Sequence, residues 1–101
     1  MRPEVVHLLV LGTLPLEDAA TTEILREIQS RYQSIARPVS DDEAKALVKM
    51  FNVDGCFGLA SSLMHLIETS PNWPIAECLA NAGNEWVVKL RQRAIRGGHP
   101  L

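Results

Sequence analysis

The feature that most constrains the fold is the apolar periodicity of the segment 55–69. On a helical wheel, the apolar residues of this segment cover roughly half of the circumference. They are Cys56, Phe57, Leu59, Ala60, Leu63, Met64, Leu66 and Ile67. A helix with so wide an apolar surface must pack against other segments on more than one side. We therefore predict a helix over 55–69 at the centre of the fold.

Helix start and stop signals divide the rest of the chain into short helices. Ser40 and Glu43 have the spacing of a capping box, and Asn84 is a suitable N-cap. The predicted helices cover residues 3–11, 17–36, 40–51, 55–69, a short segment from 75 that Gly83 terminates, and 85–96. The apolar residues of the second helix are predicted to form one narrow buried stripe: Ile24, Leu25, Ile28, Tyr32 and Ile35. Short connections between successive helices favour an all-α fold, a compact antiparallel bundle of five to six short helices. Residues 97–101 are expected to form a frayed tail.

The first segment has an alternative interpretation, because the run Val5–Leu11 is also compatible with a buried strand. The chain contains no second strand-like run that would pair with it, so a helix is preferred. The same run is interrupted by His7 and is too short to span a bilayer. We expect no membrane segment.

Composition indicates an ordinary globular protein. The chain has 101 residues, enough for a single domain over 1–101, and 47% of them are hydrophobic. Cys56 and Cys78 lie in apolar helical patterns without zinc-type spacing, which predicts reduced core thiols and a cytoplasmic location. Arginine outnumbers lysine seven to three, which indicates a GC-rich bacterial source.

A polar strip on the central helix is the first candidate site. Its residues are Gly58, Ser61, Ser62, His65, Glu68 and Thr69, and Glu68 lies three residues beyond the imidazole that it would orient. One interpretation is a small pocket that binds a ligand or supports catalysis. Side chains on one helix splay outward, however, whereas a catalytic triad needs them to converge. The strip is therefore interpreted mainly as a solvated edge or a close helix contact.

The C-terminal helix is the second candidate. All twelve acidic side chains lie in residues 1–88, whereas the last thirteen residues contain four basic side chains and no acid. Lys89, Arg93 and Arg96 are spaced to form one ridge that can contact phosphates or an acidic protein surface. The chain as a whole has a net charge of −2 and no aromatic residues between these cations, so nucleic acid is not the favoured partner. A solvated face is the simpler interpretation.

The same helix has a minor apolar seam, formed by Val88 and Ile95. Together with the apolar first segment, this seam indicates more hydrophobic surface than one small bundle buries, which a second copy or another protein would cover. The sequence contains no glycine-rich phosphate loop, nucleophile elbow or metalloprotease motif, so we expect no cofactor and no metal ion. The hypothesis is a non-enzymatic protein–protein interaction module, such as a small regulator or inhibitor. A His65 pocket and nucleic-acid binding are the alternatives.

Overall fold

The computed structural model describes residues 1–80 and 83–98. Within these residues the chain is all-helical and contains no strand, which confirms the predicted all-α class. The five α-helices are α1 Pro3–Leu9, α2 Thr22–Gln33, α3 Asp41–Leu47, α4 Leu59–Ile67 and α5 Glu85–Arg96. Single turns of 3-10 helix occupy Val48–Met50 and Ala76–Leu79, and Cys56–Gly58 forms a left-handed turn. The radius of gyration, 13.0 Å, is that of a compact chain of this length.

The buried face of α4 agrees with the apolar pattern of its sequence. The buried side chains of α4 are Ala60, Leu63, Met64, Leu66 and Ile67. The helix packs against α3 on one side and α5 on another, and also against the turn Val48–Met50. No helix in the part of the chain that the structure describes has the length and apolar character needed to cross a membrane.

The predicted start of this helix is wrong. The helix begins at Leu59 rather than at Gly55, because Cys56, Phe57 and Gly58 all have positive φ angles of 45°, 53° and 88°. A right-handed helix cannot continue through this conformation. Cys56 is buried as predicted, but the Phe57 side chain points outward and is 64% exposed.

The start of α2 also differs from the prediction, which placed it at Glu17. The Thr21 hydroxyl accepts a hydrogen bond from the amide of Ile24 at 3.2 Å and caps the helix at Thr22. The amide of Glu17 is instead held by the Asp54 carboxylate at 2.9 Å. Residues 17–19 therefore form a turn that contacts the segment before α4.

The N-terminus of α3 confirms the predicted capping box. The Ser40 hydroxyl accepts from the amide of Glu43 at 3.1 Å, and the Glu43 carboxylate accepts from the amide of Ser40 at 2.7 Å. The same carboxylate accepts hydrogen bonds from the guanidinium and the amide of Arg2, at 3.1–3.2 Å. Arg2 also donates to the main-chain oxygens of Ala36 and Pro38. These bonds fasten the N-terminal segment to α3 and to the connection that precedes it.

The last two predicted helices differ in regularity. The segment after the Trp73–Pro74 elbow forms only the 3-10 turn Ala76–Leu79. The next helix is α5, and the Asn84 side chain caps it by accepting from the amides of Trp86 and Val87. The predicted frayed tail falls largely on residues 99–101, which lie outside the described residues.

Candidate interaction surface

The polar strip of α4 does not form a single site, because its side chains bond to different parts of the chain. Ser61 and Ser62 are half-buried, and the Ser62 hydroxyl donates to the carbonyl of Gly58 within its own helix at 3.3 Å. The hydroxyl of Thr69, one turn beyond His65, accepts from the amide of Val39 at 3.1 Å. The polar side chains of the strip therefore make hydrogen bonds that stabilise the fold, and they do not surround a common pocket.

Glu68 pairs with α5 more closely than with His65. Its two carboxylate oxygens accept from Nε and Nη2 of Arg93, each at 2.8 Å, in a bidentate ion pair. The distance from Nδ1 of His65 to the carboxylate is 3.8 Å, which is too long for a hydrogen bond. The His65 side chain is 54% exposed. The residue predicted to orient the imidazole instead joins α4 to α5.

Replacing His65 by alanine is expected to leave the free energy of unfolding within about 0.5 kcal/mol of the wild type, because the ring is exposed. Urea unfolding followed by circular dichroism measures this. Arg93→Ala is the matched comparison and should cost up to about 1 kcal/mol, because it removes a partly exposed ion pair between two helices. If His65→Ala lowers the free energy of unfolding more than Arg93→Ala does, the imidazole must make a stabilising contact, and the interpretation of His65 as an exposed side chain without a role in stability is wrong.

The predicted basic ridge of α5 is partly neutralised within the molecule. The ammonium of Lys89 lies 4.0 Å from the centre of the Trp86 ring and 3.7 Å from the Glu85 carboxylate, and Arg93 is paired with Glu68. Only Arg96 of the three ridge residues lacks an ion-pair partner within residues 1–80 and 83–98. Two of the three ridge cations are therefore paired with carboxylates of the same molecule.

The outward face of α5 includes the predicted apolar seam. Val88, Arg91, Gln92 and Ile95 follow the i, i+3, i+4, i+7 spacing of one helix face. Val88 is half-buried and Ile95 is 52% exposed. Arg91 is exposed and forms no ion pair with any residue that the structure describes. We call these four residues the α5 stripe.

The two cysteines are free and buried. Burial raises the pKa of the Cys56 thiol, and the carboxylates of Asp54 and Glu17 raise it further. Burial also raises the pKa of Cys78, to about 11. Both groups are therefore thiols near neutral pH, which disfavours a nucleophilic role. Among the described residues no three His, Cys, Asp or Glu side chains are grouped as metal ligands.

A groove that the sequence did not predict lies between the end of α1 and the first turns of α2. Its volume is about 390 Å³, and its lining is mainly apolar. Leu11, Pro15, Ile24 and Ile28 supply apolar surface, and Glu23 and Glu27 line the same groove. Ile24 was predicted to belong to the buried stripe of α2 but is 45% exposed. We call this feature the α1–α2 groove.

The first segment exposes further apolar side chains, on α1 and just beyond its end. Val6 and Val10 lie one turn apart and are both exposed, as is Leu11. The apolar character of this segment was the signal in the sequence that predicted surplus hydrophobic surface. Which residues would form that surface depended on how α2 packs on α1, and the sequence pattern does not determine that.

No protein-family model, curated protein or solved structure matches this chain.

Proposed function

We propose that the chain is a small non-enzymatic protein–protein interaction module that binds a partner in the α1–α2 groove. The observation that supports this most directly is the exposure of Ile24 and Leu11 in a concave, mainly apolar groove. Exposed apolar patches of this kind are typical of protein interaction sites. An amphipathic helix laid in a groove is a common mode of such binding.

The contacts of α4 and α5 give less support to the two alternatives, a His65 pocket and nucleic-acid binding. A His65 pocket would need polar side chains that converge, and Glu68 and Thr69 are instead bonded to α5 and to the 36–39 connection. Nucleic-acid binding through α5 would need free cations, and Lys89 and Arg93 are paired. A protein partner is consistent with both observations.

We further infer an antiparallel helix arrangement, which is supported by the contacts of α1 with α2 and of α4 with both α3 and α5. The two free cysteines support a cytoplasmic location, where thiols remain reduced. The excess of arginine over lysine supports a bacterial source.

The substitution Ile24→Gln tests the proposed groove. It removes an exposed apolar side chain from the lining of the groove, at a helix position where glutamine is well tolerated. Affinity for a groove-bound partner should fall about tenfold or more, since burying one aliphatic side chain contributes on the order of 1.5 kcal/mol. Tagged wild-type and variant chains are used to capture partners from cell extract, and each purified partner is then titrated by calorimetry.

Val53→Gln is the matched control, because Val53 is also an exposed aliphatic residue but does not line the groove. A groove partner is retained by the wild type and by Val53→Gln and lost with Ile24→Gln. If every partner, including a second copy, binds Ile24→Gln as tightly as it binds the wild type, the groove is not the binding site and the proposal is wrong.

A further inference from the structure

The α1–α2 groove and the α5 stripe have complementary properties. The groove has an apolar lining with two glutamates, and Glu23 has no ion-pair partner among residues 1–80 and 83–98. Glu27 is already paired with Arg31. The stripe presents an exposed isoleucine beside Arg91, and Arg96 follows it on the same helix. One surface therefore offers the Glu23 carboxylate beside apolar side chains, and the other offers the Arg91 guanidinium beside Ile95, with Arg96 next to it in the sequence.

From this complementarity we propose that the occupant of the groove is the α5 stripe of a second copy of this chain. This inference rests on the proposed function, because it names the partner of the same groove. In the contact, Ile95 enters the groove beside Ile24 while Arg91 and Arg96 approach Glu23. Opposite charges placed around an apolar centre are the usual arrangement of a specific interface.

The two surfaces belong to different parts of one molecule. The groove lies between α1 and α2, whereas α5 packs on α4 and on the turn Ala76–Leu79. A contact between two different surfaces is head-to-tail, so an open chain of copies has one unoccupied groove at one end and one unoccupied stripe at the other, which further copies or ring closure can fill. The chain would therefore form rings or short open chains of copies, whose size increases with concentration.

Two matched variants test this inference, each with one surface altered. Ile24→Gln alters the groove and keeps the stripe, and Ile95→Gln alters the stripe and keeps the groove. Both positions are exposed helix sites, so circular dichroism should show unchanged folding. Sedimentation velocity of the wild-type chain should show a mass that increases with concentration, and each variant alone should associate about tenfold more weakly.

Mixing the two variants is the decisive measurement. The mixture retains one unaltered groove and one unaltered stripe per pair, so it should form a 1:1 complex with the affinity of the wild-type contact and grow no further. Association should weaken as salt is added, because it includes exposed charges.

Three results would overturn the inference: a wild-type chain that stays monomeric up to roughly 1 mM, variants that associate like the wild type, or a mixture in which no complex is restored. A monomeric wild-type chain that still binds another protein in an Ile24-dependent manner would overturn only the self-association and leave the proposed function standing. If the wild-type chain neither self-associates nor binds another protein in an Ile24-dependent manner, both the self-association and the proposed function are refuted.

Discussion

Replacing Glu43 by glutamine is expected to lower the free energy of unfolding by about 3 kcal/mol. The Glu43 side chain is 3% exposed and accepts hydrogen bonds from Arg2 and from the amide of Ser40. Glutamine keeps one acceptor oxygen but places an NH₂ group against donors, and it removes the charge that pairs with the guanidinium. The value is at the lower end for a broken buried ion pair, because the Arg2 side chain is 36% exposed and regains water.

The effect should depend on pH in a defined direction. Burial alone would raise the pKa of Glu43, but the hydrogen bonds from Arg2 and Ser40, together with the Arg2 charge, lower it from 4.5 to about 2. The folded chain therefore keeps a carboxylate at a pH where the unfolded chain has already bound a proton. The stabilisation is complete above about pH 4.5 and is lost as the pH falls towards 2.

Urea unfolding of the wild type and of Glu43→Gln at pH 7, 4 and 2 measures both effects. The difference between the two proteins should be largest at pH 7 and close to zero near pH 2. Asp42→Asn is the matched control, since it removes a carboxylate from the same first turn of α3 at an exposed position and should change stability by less than about 0.5 kcal/mol. A pH-independent difference between wild type and Glu43→Gln would contradict the low pKa.

The same site shows how far sequence reasoning extends. The capping box was predictable because Ser40 and Glu43 are three residues apart and bond through a single helical turn. The pairing of Glu43 with Arg2 was not predictable, because it spans 41 residues and depends on how α1 approaches α3. Local sequence signals therefore predicted the capping box. Tertiary packing determined that Glu43 pairs with Arg2 and that the pKa of Glu43 is low.

The turn before α4 shows a second limit. Apolar periodicity predicted the buried surface of α4 correctly from Ala60 onward but extended the helix through Cys56 and Phe57. Residues other than glycine rarely adopt positive φ, so the identities of Cys56 and Phe57 did not indicate a left-handed turn, although Gly55 and Gly58 on either side are residues that favour a break. Phe57 was placed in the core for this reason, although its side chain is exposed.

The sequence predicted that the chain exposes surplus apolar surface, but it did not predict where the groove forms. The apolar first segment and the Val88–Ile95 seam indicated surplus hydrophobic surface, and both α1 and α5 do expose aliphatic side chains. The groove itself depends on Ile24, whose helical spacing predicted burial. A side chain at the edge of an apolar stripe is buried or exposed according to how closely the next helix approaches. The spacing of apolar residues does not predict that distance between helices.

Removing the carboxylate of Asp54 is expected to have the next largest effect, a loss of about 2 kcal/mol for Asp54→Ala. Its two oxygens accept from the amides of Cys56 at 3.0 Å and Glu17 at 2.9 Å, so it joins the 17–19 turn to the segment before α4. Each left-handed residue other than glycine costs about 1 kcal/mol and persists only where surrounding bonds hold it. Without this carboxylate, the turn that exposes Phe57 loses one of the bonds that maintain it.

Two measurements follow this change. Urea unfolding gives the stability, and Asp54→Asn, which keeps one acceptor oxygen, should lose about half as much. Chymotrypsin cleavage after Phe57 reports the turn, and it should become faster in Asp54→Ala because the loosened backbone fits a protease more readily. Asp18→Ala is the control, since this neighbouring aspartate is exposed and makes no hydrogen bond or ion pair with the described residues.

Trp86 provides an independent signal, because its indole Nε1 donates to the main-chain oxygen of Asp54 at 3.1 Å and its ring lies over Gly55. In a Trp73→Phe background, the fluorescence of Trp86 should shift towards longer wavelength in Asp54→Ala, since the ring becomes more hydrated when the turn loosens. Unchanged stability, cleavage and fluorescence would show that the turn is held without Asp54. In that case the exposure of Phe57 would have to be explained by the hydrogen bond that the Phe57 amide donates to the Glu17 carboxylate at 3.0 Å.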